Sequence, residues 1–191
     1  SDFAFIKGLV LSLDYNNRGI FSTIDYTLQN AVGTASDPYQ AQNAISNNQM
    51  PEIQIVPLDW DQIHTLNATL GYSNKIYGNY SLIARFGSGL PYTPESSEDI
   101  SSLIYNSSRK PMTSSVDFRA SKDFVFRKLN FTLFARIKNL FDTLNENIVY
   151  NDSGQAGYTR YKDLAKAQNT DESINTIDQW FNNETFYSNP R

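Results

Sequence analysis

Two neighbouring stretches of this chain alternate apolar and polar residues with almost no interruption. The apolar positions are Met112, Val116, Phe118, Ala120, Phe124 and Phe126 in the first stretch, and Leu129, Phe131, Leu133, Ala135 and Ile137 in the second. Successive side chains of a strand point to opposite faces, so a period of two predicts strands with one apolar and one polar face. A short turn at Arg127 and Lys128 is expected to join the two strands.

The same period of two returns in four earlier segments. The six predicted strands cover residues 3–15, 20–29, 60–72, 78–88, 112–126 and 129–141. Short turns at 16–19, 73–77 and 127–128 alternate with long connections at 31–58, 89–111 and beyond Asn145, the last with a short helix near 171–181. This alternation predicts an all-β, antiparallel up-and-down meander with short turns at one end and long loops at the other. Outer-membrane barrels have the same asymmetry, with short periplasmic turns and long external loops.

The composition excludes several other classes of protein. The mean hydropathy is −0.47 and no apolar run approaches the roughly 18 residues of a spanning helix, so a helical membrane protein is excluded while a strand-built one is not. The formal net charge of −4 argues against a nucleic-acid partner, which needs a basic surface. The chain has no cysteine, which excludes disulfides, thiol catalysis and thiolate metal sites.

Aromatic residues concentrate toward the ends of the predicted strands. Near the short turns these are Tyr15, Tyr72, Tyr80, Phe124 and Phe126, and near the long connections they are Phe3, Phe5, Trp60, Phe86 and Phe141. Aromatic rings favour the two interfaces of a bilayer, whereas the core of a soluble β-sandwich would gather them in the middle of its strands. The placement therefore favours strands that cross a membrane.

A series of short motifs resembles the C-terminal part of a TonB-dependent outer-membrane receptor. The motifs, in chain order, lie at Asp61–Asn67, Ser88–Pro94, Asp117-Phe118-Arg119, Lys122-Asp123-Phe124, Asn139-Leu140-Phe141-Asp142, Gly157-Tyr158 and Asn189-Pro190-Arg191. The resemblance implies that residues 1–191 are one segment of a 22-stranded barrel, with the plug domain and the closing strand absent. No secretory signal precedes the first strand pattern, so an exported protein would have its start elsewhere.

The same resemblance implies function and partners. Such receptors lie in the cell outer membrane of Gram-negative bacteria and import a scarce ligand, such as a siderophore, cobalamin or an oligosaccharide. Energy comes from a TonB-type protein that contacts the N-terminal part, which this chain lacks. The expected partners are the lipid bilayer, the rest of the barrel and its plug, the energising protein and the ligand, with no cofactor and no metal.

Two groups of residues are candidates for contact with a ligand or a plug. The polar, lumen-facing parity carries Asp25, Arg85, Asp117, Arg119, Arg136 and Lys138, and the long connections carry Tyr92, Tyr105, Tyr158 and Trp180. These charged residues can also form cross-strand ion pairs, which is the interpretation we favour. The loop aromatics can stack on a sugar or an aromatic ligand, although packing within the loops is the commoner use of such rings.

No residue pattern predicts an enzyme. His64 is the only histidine, it falls on the apolar parity, and no nucleophile motif accompanies it. Two further alternatives stay open at this point. One is a passive, porin-like channel built from the same kind of strand, and the other is a soluble β-sandwich that binds carbohydrate.

Overall fold

The computed structural model describes residues 3–35, 39–48, 54–95, 105–127, 129–167 and 187–188. Six long strands dominate it: β1 (Ala4–Asn17), β2 (Ile20–Gly33), β4 (His64–Asn74), β5 (Gly78–Gly87), β8 (Thr113–Phe126) and β9 (Leu129–Ile137). Five short strands lie in the connections: β3 (Val56–Pro57), β6 (Pro91–Tyr92), β7 (Ser108–Arg109), β10 (Asn145–Glu146) and β11 (Tyr187–Ser188). Two short helices complete the set, α1 (Gln40–Ser46) and α2 (Arg160–Ala167).

The six long strands form one antiparallel sheet in the order β1-β2-β4-β5-β8-β9, which is their order along the chain. The predicted all-β class and antiparallel meander are therefore confirmed. The short strand β3 adds to the end of β2, and the pairs β6-β7 and β10-β11 form two small separate sheets. Within the described part of the chain the main sheet does not close, because the outer edges of β1 and β9 have no paired strand.

Short turns join β1 to β2, β4 to β5 and β8 to β9, as predicted. Arg18 and Gly19 both have positive φ angles, of 49° and 86°, which is the conformation that matches the twist of a two-residue hairpin. In the second turn the Asn74 side chain accepts hydrogen bonds from the backbone N–H groups of Ile76 and Tyr77, at 2.7 and 3.1 Å. Local side-chain chemistry therefore specifies these turns.

The other ends of the strands differ from the sequence prediction by a few residues. β2 continues to Gly33 because β1 pairs with it to that residue, and β3 adds partners for its last two residues on the other side. β4 begins only at His64, so that Trp60 lies outside the strand that was predicted to include it. β9 ends at Ile137 instead of position 141, since Asn139 adopts a φ of 50° that a strand cannot continue. The predicted helix at 171–181 lies outside the described residues, and α2 was not predicted.

The two faces of the sheet keep the predicted alternation. Apolar residues on one face are exposed on the outer strands and in the middle of the sheet, among them Leu9, Leu11, Leu13, Leu70, Leu82 and Leu133. The polar residues of this face lie toward the strand ends, namely Lys7, Ser22, Asn30, His64, Ser114 and Lys122. Lys122 places its ammonium group 5.3 Å from the centre of the Phe124 ring on the same face. Two phenylalanines, Phe21 and Phe134, occupy the opposite, polar face.

The buried hydrophobic residues lie away from the middle of the sheet. In the described part of the chain these are Ala31, Val56, Leu58, Val149 and Ala156, all in the long connections or at the strand end that faces them. The connections therefore form a small core of their own at one end of the sheet. The apolar face of the sheet itself carries no second layer among the described residues.

Neither α1 nor α2, the helices of the described residues, has the length and apolar character needed to cross a membrane.

The strands are staggered with respect to one another. A line of paired residues across the sheet runs from Ile20 through Tyr72, Tyr80 and Ala120 to Ala135. It meets the first hairpin at its turn but crosses the third hairpin well inside the strands, since β8 continues to Phe126. Such a stagger is what strands have when they tilt relative to the axis of a curved or closed sheet.

A glycine and an aromatic ring interlock on the polar face. Gly71 of β4 pairs with Phe21 of β2, and a Cβ atom at position 71 would overlap the Phe21 ring. The ring therefore covers the backbone of Gly71. A glycine inside a strand weakens it because it has no side chain to pack, and the Phe21 ring fills that space.

We expect Gly71→Ala to lower the free energy of unfolding by about 1–3 kcal/mol, because the methyl group forces the Phe21 ring off its place. Chemical denaturation of the variant and of the original chain measures this. The double variant Phe21→Ala/Gly71→Ala is the control. With the ring removed, the added methyl group is expected to be neutral or stabilising, and equal effects in both backgrounds would contradict the interlock.

Candidate functional site

Acidic residues on the polar face bond hydroxyl groups of the neighbouring strand. Asp25 accepts a hydrogen bond from the hydroxyl of Ser12 at 2.7 Å, and Asp14 accepts one from Thr23 at 2.9 Å. Asp123 of β8 accepts one from Thr132 of β9 at 2.6 Å. These carboxylates thus tie adjacent strands together through neutral partners. Asp25, one of the predicted lumen residues, is therefore hydrogen-bonded to the neighbouring strand β1.

Arg85 and Asp117 form an ion pair between β5 and β8, with 3.4 Å between the guanidinium nitrogen and the carboxylate oxygen. Asp117 is 5% exposed and also accepts the backbone N–H of Asn139 at 3.0 Å. The Asn139 side chain in turn bonds the backbone N–H and carbonyl of Thr143, each at 3.0 Å. One buried carboxylate therefore joins two strands and fixes the turn that follows β9, in which the motif Asn139–Asp142 lies.

Arg119 and Arg136 are directly opposite each other on β8 and β9. Within the described part of the chain, neither guanidinium has a carboxylate within ion-pair distance or a hydrogen-bond acceptor. Lys138 follows β9 directly and is not part of this pair. The six predicted lumen residues are therefore divided: two form an ion pair, one bonds a serine, two arginines face each other, and Lys138 lies just beyond the end of β9.

Two depressions lie on the polar face. One, of about 390 Å³, is near the short turns and is lined by Phe21, Ser81, Arg119, Ser121, Phe134 and Arg136. The other, of about 320 Å³, is near the long connections, and its polar lining includes Gln62, Thr65, Asn67, Arg85, Asn145 and Asn147. One feature of the sequence could have indicated the first depression: Phe21 and Phe134 occupy positions that are otherwise polar in their strands.

A buried ion pair holds the long connections against the sheet. Asp61 is 1% exposed, accepts the backbone N–H of Ala31 at 2.7 Å and pairs with the guanidinium of Arg109. Arg109 also donates to the carbonyl of Asp61 at 2.8 Å. Asp61 thereby joins the end of β2 to the connection that contains β7. Sequence reasoning did not single out either residue for this role.

The loop aromatics make contacts within the loops. Tyr105 donates its hydroxyl to Asp59 at 2.9 Å, and the neighbouring Asn106, with a φ of 56°, donates to the same carboxylate at 2.6 Å. Tyr92 packs so closely on Gly154 that a Cβ atom there would overlap its hydroxyl. Tyr92 and Tyr105 therefore pack within the loops, which is the commoner of the two uses considered for such rings. Trp180 lies outside the described residues.

Tyr158 is 40% exposed and donates its hydroxyl to Asp163 of α2 at 2.5 Å. This hydrogen bond to a carboxylate raises the pKa of Tyr158 above its ordinary value, because the carboxylate holds the phenol proton. The N-terminus of the same helix is capped by Asp152, which accepts the backbone N–H of Arg160 at 2.6 Å and the hydroxyl of Thr159 at 2.7 Å. The segment around α2 is therefore fixed by its own polar contacts.

His64 lies on the apolar face, where its Nδ1 is 2.8 Å from the hydroxyl of Tyr26 and the two rings stack. The pair resembles an interfacial contact more than a catalytic dyad, since its partner is a phenol and not a nucleophile or a carboxylate. Among the residues that the structure describes, no cluster of three histidine or acidic side chains is placed to hold a metal ion.

Comparisons with protein families, with curated proteins and with solved structures returned no match for this chain.

We expect Asp61→Asn to cost about 3 kcal/mol of stability, because Arg109 then keeps its charge without a counter-charge while Ala31 loses a charged acceptor. Hydrogen exchange of the amides in residues 56–61 and 105–110 is expected to speed up markedly. Glu95→Gln is the matched control, since Glu95 is an exposed acid of the same loop cluster. Unchanged protection of both segments in the Asp61 variant would contradict the role of the ion pair.

Proposed function

We propose that the six long strands are part of the wall of a transmembrane β-barrel in an outer membrane, and that the protein imports a scarce ligand through it. One observation carries the proposal. The face with Leu11, Leu13 and Leu70 is mainly apolar on all six strands and has two charged residues, Lys7 and Lys122, while the opposite face bears the carboxylates and the arginines of the sheet. A β-barrel wall has this division, with lipid on one side and a polar lumen on the other.

The exposure of the apolar face favours lipid over water. Ordinary soluble proteins rarely expose continuous apolar patches of more than a few hundred Å². Each exposed leucine gains roughly 25 cal/mol for every Å² of apolar surface that leaves water. A soluble sandwich would cover such a face with a second sheet, and the strands β6, β7, β10 and β11 are too short and belong to the connections.

The stagger and the open edges favour a larger closed sheet. Unpaired backbone groups cannot remain in hydrocarbon, where no water satisfies them, so a membrane sheet must close. Six strands are fewer than the roughly eight of the smallest membrane barrels. In the proposed protein, further strands of the same barrel pair with β1 and β9.

The transport part of the proposal is supported by the motifs that resemble TonB-dependent receptors. Under this proposal the polar face lines the lumen and contacts a plug, the long connections face outward, and a TonB-type protein supplies energy. The ligand is a siderophore, cobalamin, an oligosaccharide or another scarce solute. Transport of this kind makes and breaks no covalent bond.

Leucine 70 offers a direct test of the membrane-facing side. In a bilayer, Leu70→Arg is expected to destabilise the folded protein by about 2–4 kcal/mol, because a charge then faces hydrocarbon. The control Thr69→Arg adds the same charge to the polar face of the same strand, opposite the uncharged Thr23 and Ile83, and is expected to have little effect. Folding in lipid vesicles, followed by urea unfolding, measures both. If Leu70→Arg instead stays fully folded and improves solubility in plain buffer, the face is in contact with water.

Energy coupling has its own test in whole cells. We expect cells that produce the protein to accumulate one of three radiolabelled probes, a ferric chelate, cobalamin or a linear oligosaccharide, above cells that lack it. A protonophore is expected to abolish accumulation while leaving surface binding intact. Uptake that persists with the protonophore present would identify a passive channel.

A further inference from the structure

The polar face separates its charges along the sheet. Asp14 and Asp25 lie on β1 and β2 and bond hydroxyl groups of their neighbours. On β5, β8 and β9 the polar face carries three arginines, Arg85, Arg119 and Arg136, against two carboxylates, Asp117 and Asp123, and Asp123 bonds the hydroxyl of Thr132. Asp117 is already engaged by Arg85 and by the Asn139 backbone. The middle of the polar face over β8 and β9 is therefore left with an excess of positive charge.

The excess of positive charge is concentrated at Arg119 and Arg136. Directly opposite residues of an antiparallel pair have Cβ atoms only about 5 Å apart, and like charges there destabilise a sheet. Asp117 attracts Arg136 from beyond ion-pair distance, but no described carboxylate lies within ion-pair distance of either guanidinium. Two cations kept in such a position are explained if an anion binds between them, because guanidinium groups bind carboxylates through paired hydrogen bonds.

The surroundings of the two arginines form a shaped recess. In one row across the sheet, Phe21, Gly71, Ser81, Arg119 and Arg136 follow one another on β2, β4, β5, β8 and β9. The Phe21 ring covers Gly71 at one side, the two arginines stand at the other, and small residues form the floor between them. Phe134, which is 77% exposed, follows in the next row opposite Ser121.

The recess thus combines two cations, the hydroxyl groups of two half-buried serines and two aromatic rings within about 390 Å³. Asn79 and Ser121 add an amide and a hydroxyl, which are linked across the strands at 3.5 Å. Cations select an anion, while rings on a polar face select a flat or apolar body that can pack on them. A fully hydrated inorganic anion would leave the exposed Phe134 ring with nothing to pack on it.

We infer that this recess binds a carboxylate carried on an aromatic or apolar body, with Arg119 and Arg136 holding the carboxylate and Phe21 and Phe134 packing on the body. The group belongs either to a small organic acid or to an acidic side chain of a protein segment that rests on this face. The inference uses the polar face alone and does not depend on whether that face lines a barrel lumen.

Titration of the full chain in detergent micelles with benzoate tests the small-acid source. Binding is expected to weaken by about tenfold in Arg119→Gln and in Arg136→Gln, since a hydrogen bond to a charged group is worth roughly that much. Phe134→Ser is expected to weaken benzoate but not inorganic phosphate. Lys122→Gln removes one positive charge from the opposite face of the same strand and is expected to bind benzoate normally.

Thermal unfolding of the same variants tests the other source. If a carboxylate of the protein itself fills the recess, benzoate does not bind, and both arginine variants unfold at lower temperature than the original chain and the Lys122→Gln control. If the recess is empty of any anion, removing one arginine relieves repulsion and raises the unfolding temperature. A raised unfolding temperature together with no benzoate binding overturns the inference. Circular dichroism confirms that each variant retains its strand content.

Discussion

The register of the six long strands is the constraint on which the rest of this structure depends. The pairing runs without a bulge from β1 to β9, so each side chain keeps its face from one strand to the next. A slip of one residue in any strand would carry its leucines to the polar face and its charges to the apolar face. Arg119 and Arg136 meet, and the Phe21 ring covers Gly71, only because this register holds.

The long connections complete the sheet at one end and are not independent of it. Asp61 replaces a missing strand neighbour at Ala31 and holds Arg109, while Asn145 bonds both the N–H and the carbonyl of Ser114 at 2.8 and 2.9 Å. Side chains with two oxygen or amide atoms thus act as substitutes for backbone at the points where strands end. Tyr92 and Tyr105 belong to the same group of contacts, so internal contacts hold this end of the molecule in shape.

The polar face carries two kinds of polar group with different consequences. Carboxylates that bond a cross-strand hydroxyl, such as Asp25 with Ser12, are satisfied and mainly join strands. The facing arginines are not satisfied by the described chain, and their repulsion is a cost unless an anion offsets it. Under the proposed function these arginines lie on the lumen side, where a charge costs far less than on the lipid side.

The sequence alone determined the all-β class, the meander order, the three short turns and the side of the sheet on which each strand residue lies. These depend on the period of two and on turn residues such as Arg18 and Gly19, which act over a few positions. Strand ends were less predictable, since the end of β2 has partners on both sides, one of them from a distant connection, and β9 stops at Ile137, just before the turn at Asn139. Only the tertiary structure decided that Asp61 pairs with Arg109, that Asp117 takes Arg85 and that Arg119 meets Arg136. Such partners come from segments far apart in the chain, and their pairing follows from the register between strands, which no single strand specifies.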